Sequence, residues 1–235
     1  MRIISAFAVA AATLFLSSAA GATTLYSTNF DAENGGNSAL NYTGFSGLTV
    51  TTGTVDIVKS GDYGIVCAGG SGSCVDLDGS TNQAGEIASG FYNFNAGDSV
   101  TFSFDLSGNQ RIGGSDQFHA GFVFGANTLM TSYNLGGAWG PANVINNTAT
   151  LAVTTYSSIS GNSFANYSIN FVAGQAGTVA FLLGGGSGNN IGPVADNLDL
   201  SSTGGAVPEP ATWAMMILGF GAAGSMIRRR RAVTA

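Results

Sequence analysis

The sequence predicts an all-β fold, an antiparallel β-sandwich of the jelly-roll type, between two terminal segments that lie outside the fold. Apolar residues occupy every second position in several stretches, which is the pattern of strands with one buried face. Turns rich in Gly, Asn, Ser and Asp separate these stretches, and no stretch between the terminal segments keeps a helical period for three turns. A sandwich of short antiparallel strands suits a chain of 235 residues.

The N-terminal segment, residues 1–22, has the organisation of a secretory signal peptide. Arg2 supplies a weak basic start, Ile3–Leu16 is apolar, and Ala20-Gly21-Ala22 forms an Ala-x-Ala cleavage site. We therefore predict export, with signal peptidase as a processing partner that cuts after Ala22. An N-terminal membrane anchor is the alternative, although the apolar run is short for that role.

Residues 23–206 have the length of one domain. They contain twelve acidic residues, the thirteen of the chain less Glu209, but only Lys59 and Arg111 as basic residues. The resulting formal charge of about −10 excludes nucleic acid as a partner, since phosphate binding needs clustered Lys and Arg. Such a surface can attract cations and keeps an exported protein soluble.

Alternation predicts the individual strands in chain order. The clearest segments are 100–106, 118–124, 151–153, 167–171 and 179–183, separated by turns at 95–98, 174–177 and 184–192. Within 118–124, His119 falls on the face opposite the phenylalanines. We therefore interpret His119 as a surface or edge histidine rather than a catalytic one.

Cys67 and Cys74 flank six small residues, a loop flexible enough to let the two thiols meet. In an exported chain with two cysteines, the pattern predicts a disulfide. A metal site is the alternative, but it requires more soft ligands than the distant His119 offers.

The C-terminal segment, residues 207–235, contains a Pro-Glu-Pro turn at 208–210, an uncharged stretch at 211–227 and a basic stop at 228–231. The uncharged stretch has seventeen residues, at the short end of what spans a bilayer as a helix. Trp213 suits the membrane interface, and the arginines mark the cytoplasmic side. We predict a transmembrane helix over 211–227.

This order of features resembles the PEP-CTERM tail, in its Pro-Glu-Pro-x-x-Trp-Ala variant, of exosortase substrates. The resemblance implies processing by exosortase, a membrane-embedded cysteine protease, and delivery of the domain to the cell surface or exopolysaccharide matrix of a Gram-negative bacterium. An uncleaved C-terminal anchor is the alternative. The sorting residues are then Pro208, Glu209, Pro210, Trp213, Arg228, Arg229, Arg230 and Arg231.

A second resemblance lies inside the domain. The segments 53–58, 75–80, 85–87, 97–109 and 196–200 are similar to choice-of-anchor C domains and to the galactose-binding-like jelly rolls of plant cell-wall proteins. This resemblance implies association with carbohydrate or cell wall rather than chemistry.

Sugar sites in β-sandwiches typically combine an aromatic platform with amide and carboxylate groups. Trp139, in the turn-like segment 136–141, and Tyr133 are our candidate sugar-binding residues. The alternative for Trp139 is a loop tryptophan that folds back over the core.

Calcium is a second candidate ligand. Asp31 and Glu33 follow the first predicted strand and Asp196 lies in the last, and jelly rolls bring these strands together. Oxygen ligands at such a junction suit a structural Ca²⁺, although Asp and Asn equally often shape turns. No other cofactor is predicted.

An enzyme is not predicted, because the chain has three glutamates and no motif marks a catalytic pair. Glu86 with Asp78 or Asp105 is the pair that a glycosidase would use. The sequence therefore favours an exported protein that binds or organises exopolysaccharide. A structural or adhesive surface protein without a sugar site is the first alternative, and a secreted glycan hydrolase is the second.

Overall fold

The computed structural model describes residues 21–111, 115–125, 130–135, 142–147, 150–161, 163–186, 189–204 and 217–220, with side chains described except at 115, 130–135, 142–147, 150–158 and 160. Gly21–Gly205 form one compact unit. Residues 217–220 are helical. Within the described part of the chain, no helix combines the length and apolar character that a membrane crossing requires. Apart from 217–220, the predicted helix at 211–227 lies outside the described residues.

The domain is built from two antiparallel sheets, each with seven strands in the described residues. Sheet A contains β1 (Ala22–Thr28), β3 (Asp56–Lys59), β4 (Ser73–Asp76), β9 (Ser99–Ser107), β11 (Met130–Leu135), β14 (Ala165–Ala173) and β16 (Val194–Thr203). Sheet B contains β2 (Leu48–Thr52), β7 (Glu86–Ser89), β8 (Tyr92–Phe94), β10 (Ser115–Phe124), β12 (Ala142–Asn147), β13 (Thr150–Ser160) and β15 (Gly177–Gly185). A small ribbon pairs β5 (Asp78–Gly79) with β6 (Gln83–Ala84). Short 3₁₀ turns occupy Glu33–Gly36, Asp62–Gly64 and Ala68–Gly70.

The strand order confirms the predicted jelly-roll sandwich. Sheet A runs β11-β14-β9-β16-β4-β3, with β1 also on β16, and sheet B runs β12-β13-β10-β15-β7-β2, with β8 on β15. From β8 to β12 the chain crosses to the other sheet at every strand, and β13, β14, β15 and β16 again alternate from B to A to B to A. This alternation is characteristic of a jelly roll.

Strand β9 shows why the sequence folds in this way. Its residues alternate between buried and half-buried positions from Ser99 to Leu106, as expected when one face packs on the core and the other faces water. The same pattern holds in β10, where Phe118 is buried and His119 is half-buried. The predicted placement of His119 opposite the phenylalanines is therefore confirmed.

A layer of aromatic side chains fills the space between the sheets. Phe102 of sheet A stacks on Phe181 of sheet B with ring centroids 4.0 Å apart. Phe171 meets Phe122 edge to face at 5.0 Å. Fully burying a side chain of this size contributes about 1.5–3 kcal/mol, so this layer is the main source of cohesion between the two sheets.

The pairing of β1 with β16 defines the two ends of the sandwich. Ala22 lies opposite Thr203, and Thr28 lies opposite Leu198. We call the end containing Ala22, Thr203 and the turn Asn95–Asp98 the N/C end, because the chain enters and leaves the domain there. The opposite end, which holds Asp31 and the start of β16, is called the loop end.

Replacing Phe102 with alanine tests the role of the aromatic layer. We expect Phe102→Ala to lower the free energy of unfolding by about 3–5 kcal/mol, because it leaves a cavity between the sheets. The matched control is Phe91→Ala, since Phe91 is 54% exposed and its loss should change stability by no more than about 0.5 kcal/mol. Urea unfolding followed by circular dichroism measures both variants. Equal losses would contradict this account of the core.

Candidate functional site

A polar groove lies on sheet A where β1 and β16 meet. Its volume is about 360 Å³, within the range of small-molecule sites. Hydroxyl, amide and carboxylate groups line it together with one leucine. The lining residues are Ser27, Thr28, Asn29, Asn197, Leu198 and Asp199.

A β-bulge in β16 creates this groove. The register of β16 against β9 shifts between Asp196 and Asp199, and Asn197 takes a left-handed backbone conformation with φ of 49°. β4 pairs with the first residues of β16, and β1 pairs with the residues from Leu198 onward. The bulge therefore falls at the gap between two neighbouring strands. Bulges of this kind redirect side chains and interrupt pairing, which leaves polar groups accessible.

Asp105 fixes the amide of Asn197, which lines the groove. Its carboxylate accepts one hydrogen bond from Asn197 Nδ2 at 2.8 Å and another from Asn166 Nδ2 at 2.9 Å. Because β9 supplies Asp105 and β14 supplies Asn166, the carboxylate that holds Asn197 is itself held by the next strand of the sheet. The amide of Asn197 is thus fixed beside the groove that it lines.

Two carboxylates at the loop end hold the loop closed by the disulfide. Asp31 Oδ1 accepts the Ser73 N–H at 2.9 Å, and Asp196 Oδ2 accepts the Ala68 N–H at 3.1 Å. The Cys67–Cys74 bond itself is formed, as the sequence predicted. The loop is therefore closed covalently and attached to the turn after β1 and to β16.

Gly72 makes the contact with Asp31 possible. Its backbone has φ of +76°, and a Cβ at this position would overlap Asp31 Oδ1. The close approach therefore needs a residue without a side chain. Gly69, in the same loop, has φ of +73° and open space around it.

Asp196 lies in a strongly acidic environment. Burial raises the pKa of Asp196 to about 7, the N–H groups of Asn197 and Ala68 lower it, and the carboxylates of Asp31 and Asp105 raise it further. Desolvation and like charges disfavour an ionised carboxylate in this way. Carboxylates from β9 and from the turn after β1 thus both act electrostatically on Asp196 of β16.

The calcium prediction named Asp31, Glu33 and Asp196, of which Asp31 and Asp196 both accept hydrogen bonds from the disulfide loop. Glu33 lies elsewhere: its carboxylate accepts the Ser46 N–H at 2.9 Å and the Tyr42 hydroxyl at 3.5 Å. Among the described residues, no group of three His, Cys, Asp or Glu is arranged to hold a metal ion. Calcium binding stays a prediction.

Most other predicted site residues fall outside the described part of the chain. Trp139 lies there, and so do the sorting residues Pro208, Glu209, Pro210, Trp213, Arg228, Arg229, Arg230 and Arg231. Tyr133 belongs to β11 and pairs with Phe171 of β14, but its side chain is not described. Their roles in sugar binding and sorting remain predictions on sequence grounds.

A second polar cluster at the loop end escaped the sequence analysis. Arg111 donates to Asp76 Oδ2 at 2.5 Å and to the Asn190 carbonyl at 2.8 Å. Asp76 Oδ1 also accepts the N–H groups of Asp78 and Gly192, each at 3.1 Å. The signal available in the sequence was that Arg111 is one of two basic residues in the domain, so a carboxylate partner was to be expected.

Sheet B carries a further pair on its outer face. His119 Nε2 lies 2.8 Å from Glu86 Oε2, and Thr51 donates to the other oxygen of Glu86. The hydrogen bond with His119 lowers the pKa of Glu86. Gly184 lies between these strands in register with both residues, and any side chain there would overlap the imidazole ring.

The carboxylate pairs considered for a glycosidase do not converge. Glu86 lies on sheet B, whereas Asp105 lies on sheet A and bonds amides at the other face of the sandwich. Asp78 is fully buried. The two carboxyl groups of a glycosidase must flank one bond, and neither pairing meets this requirement.

A comparison with known protein families gives a match to the C-terminal tail of the chain. Residues 206–231 match the model of the PEP-CTERM protein-sorting motif, which confirms the resemblance of the tail. The match indicates an exported protein that is made as a membrane-anchored precursor and is recognised by exosortase. No curated protein matches the chain.

Solved structures similar to the chain include three that contain carbohydrate-binding modules. The CBM22-1–GH10 modules of Clostridium thermocellum xylanase 10B, complexed with xylohexaose, share 13% identity over 78% of this chain and 29% of that chain, with a TM-score of 0.44. TmCBM61 in complex with β-1,4-galactotriose shares 13% sequence identity over 65% of this chain and 85% of that chain, with a TM-score of 0.37. The family 11 carbohydrate-binding module from Clostridium thermocellum, in complex with a β-1,3-1,4-mixed-linked tetrasaccharide, shares 17% sequence identity over 78% of this chain and 96% of that chain, with a TM-score of 0.34. Similarity at this level carries no information on what this chain binds.

Two glycines of the disulfide loop provide a matched test of the contact with Asp31. We expect Gly69→Ala to cost about 1 kcal/mol, since both glycines have positive φ. Gly72→Ala should cost clearly more, because it also displaces Asp31 from the Ser73 N–H. Urea unfolding of the two variants measures the difference. Equal destabilisation would show that the Asp31 contact does not hold the loop.

The raised pKa of Asp76 predicts how the free energy of unfolding depends on pH. Burial raises the pKa of Asp76 to about 7, against the lowering effects of the Asp78 N–H and Arg111. The folded state then binds more protons than the unfolded state between about pH 4 and 7, so stability falls as pH rises through this interval. Relative to Asp76→Asn, the wild type should lose about 3 kcal/mol between pH 5 and pH 8.

Urea unfolding over this pH range, with Ser103→Ala as a control that removes no titrating group, measures the effect. The stability difference between the wild type and the control should not change with pH. If the stability difference between the wild type and Asp76→Asn also stayed constant with pH, the raised pKa of Asp76 would be contradicted.

Proposed function

We propose that the exported domain binds extracellular polysaccharide through the groove between β1 and β16, and thereby associates with the surface or matrix of the cell that secretes it. The groove is the single observation that carries this proposal. It is an open depression with the volume of a small ligand, and the amide of Asn197, which lines it, is hydrogen-bonded to Asp105 of the neighbouring strand β9.

The chemistry of the lining suits a polyhydroxylated ligand. Ser27 and Asp199 lie opposite each other on β1 and β16, so a hydroxyl and a carboxylate face the ligand side by side. Asn29 and Asn197 add amide groups, which both donate and accept hydrogen bonds. Sugar hydroxyls need such mixed partners, because each hydroxyl is donor and acceptor at once.

The charge of the domain narrows the class of polysaccharide. The carboxylates of Asp31 and Asp105 both raise the pKa of Asp196, which precedes the groove residue Asn197, and the domain carries far more acids than bases. Like charges repel anionic polymers at short range. The proposal therefore specifies a neutral or amine-bearing polysaccharide.

Calcium binding at Asp31 and Asp196 is a further part of the proposal. A divalent cation would reduce the repulsion between these carboxylates and favour their ionised forms. Trp139 and Tyr133 remain our candidates for an aromatic platform. No catalytic step is proposed, and the protein acts as a binding or organising component.

Binding of residues 23–205 to the exopolysaccharide of the producing strain, and to a glycan array, tests the proposal. Saturable binding is expected, and Asp199→Ala should weaken it by about tenfold or more, because a hydrogen bond to a charged group contributes about 1.5–3 kcal/mol. Ser27→Ala should weaken it to a smaller extent. Ser201→Ala is the matched control, since Ser201 lies on the same face of β16 but does not line the groove.

Two further arms separate the remaining parts of the proposal. Repeating the measurement with calcium and with chelator tests the metal, and Trp139→Ala tests the aromatic platform. Loss of binding with Trp139→Ala but not with Asp199→Ala would move the site away from the groove. Absence of binding to every glycan, together with self-association, would instead favour the structural or adhesive alternative.

A further inference from the structure

We infer that the groove continues as a row of side chains across sheet A, and that this row binds an uncharged, linear polysaccharide that lies across the strands. The inference rests on the proposed function, because two residues of the groove form the first part of the row. It adds two residues to the binding surface and predicts that the chain is recognised along its length. We call Ser27, Asp199, Ser103 and Ser168 together the cross-strand row.

Strand register places the cross-strand row in a line. Ser27 of β1 lies opposite Asp199 of β16. Asp199 in turn lies opposite Ser103 of β9, and Ser103 lies opposite Ser168 of β14. The neighbours of Ser103 in β9 are fully buried, so the Ser103 side chain points to the outer face of the sheet. Four neighbouring strands therefore each contribute one outward-facing polar group to the row.

The hydroxyl groups of Ser103 and Ser168 are available to a ligand. Within the described part of the chain, neither hydroxyl has a hydrogen-bond partner. The next row toward the loop end differs, since Asn166 and Asn197 both donate to Asp105. A serine hydroxyl both donates and accepts hydrogen bonds, as a sugar hydroxyl does. Ser103 and Ser168 can therefore bind sugar hydroxyls without losing a contact inside the protein.

The spacing of the row matches that of a sugar chain. Neighbouring strands lie about 4.8 Å apart, which is close to the length that one pyranose unit adds to an extended chain. Along a single strand, outward-facing residues repeat at about 6.8 Å, which does not match. The row crosses β1, β16, β9 and β14 and spans about 14 Å. It is therefore long enough to contact about four successive sugar units.

The surface on either side of the row restricts the path of the bound chain. Toward the loop end, Asp196 is 3% exposed and accepts the Ala68 N–H of the disulfide loop, so this side is covered. Toward the N/C end, Ser201 and Thr101 form part of the next row, but neither of them lines the groove. A chain that starts in the groove therefore follows the cross-strand row.

The charge of the row specifies an uncharged polymer. An anionic polysaccharide would need cationic partners, and β1, β9, β14 and β16 contain no Lys or Arg. A polysaccharide with an amine on every unit would need a carboxylate opposite each one, whereas Asp199 is the single carboxylate of the row. Hydroxyl groups at the other three positions suit a neutral chain.

Oligosaccharides of increasing length test the inference. Partial hydrolysis of the exopolysaccharide of the producing strain gives fragments from the monosaccharide upward. The full chain, purified in a detergent without a sugar headgroup, is bound to the immobilised exopolysaccharide, and each fragment is added as a competitor. The fragment concentration that halves binding measures its relative affinity. Affinity should rise with length up to about four units and then level off.

Three variants separate the row from the groove. Ser168→Ala should weaken binding of the tetrasaccharide by about two- to tenfold, because one hydrogen bond is lost. It should leave binding of the disaccharide unchanged, since a disaccharide held at Asp199 does not reach β14. Asp199→Ala should weaken binding of both fragments. Ser201→Ala makes the same chemical change as Ser168→Ala outside the row and should affect neither, and an unchanged unfolding midpoint confirms that each variant is folded.

The outcomes distinguish failure of the inference from failure of the proposed function. If fragments of all lengths compete equally well, or if Ser168→Ala affects the tetrasaccharide no more than Ser201→Ala does, the inference is overturned while binding in the groove stands. If the full chain does not bind the exopolysaccharide at all, the proposed function fails and the inference fails with it. A loss with Ser168→Ala that is confined to the longer fragments supports the inference.

Discussion

The packing of one aromatic layer between two sheets is the constraint on which the rest of the structure depends. Phe102 and Phe181 stack across the interface, and every strand must turn its apolar face toward this layer. The alternation of side chains then sends each remaining residue to an outer face. Polar groups such as Ser103, Asp199 and His119 are accessible because the residues next to them in the chain are committed to the core.

The groove shows how a local irregularity in one strand can create a polar site on such a scaffold. Without the bulge at Asn197, β16 would continue its regular pairing with β9 through this region. Next to the bulge, the carboxylates of Asp31 and Asp196 accept hydrogen bonds from two N–H groups of the disulfide loop. The covalent loop, the bulge and the turn after β1 stabilise one another, so the polar atoms are held in position before any ligand arrives.

Local patterns in the sequence were sufficient for the strands, the disulfide and the orientation of His119. They were insufficient for contacts between distant segments, because these depend on register. The pair Glu86 and His119 forms only because Gly184 separates their strands, and a shift by one residue would send both side chains inward. Glu33 shows the converse: it lies two residues from Asp31 in the chain, yet a 3₁₀ turn directs it to Tyr42 and Ser46.

The pairing of the first strand with the last one sets an order of events during biogenesis. β1 pairs with β16 and, among the described residues, with no other strand. Sheet A is therefore incomplete until translation and translocation have delivered the final strand. Residues at the two ends of the domain must meet before this pairing forms, so closure of sheet A is a late, non-local step that slows folding.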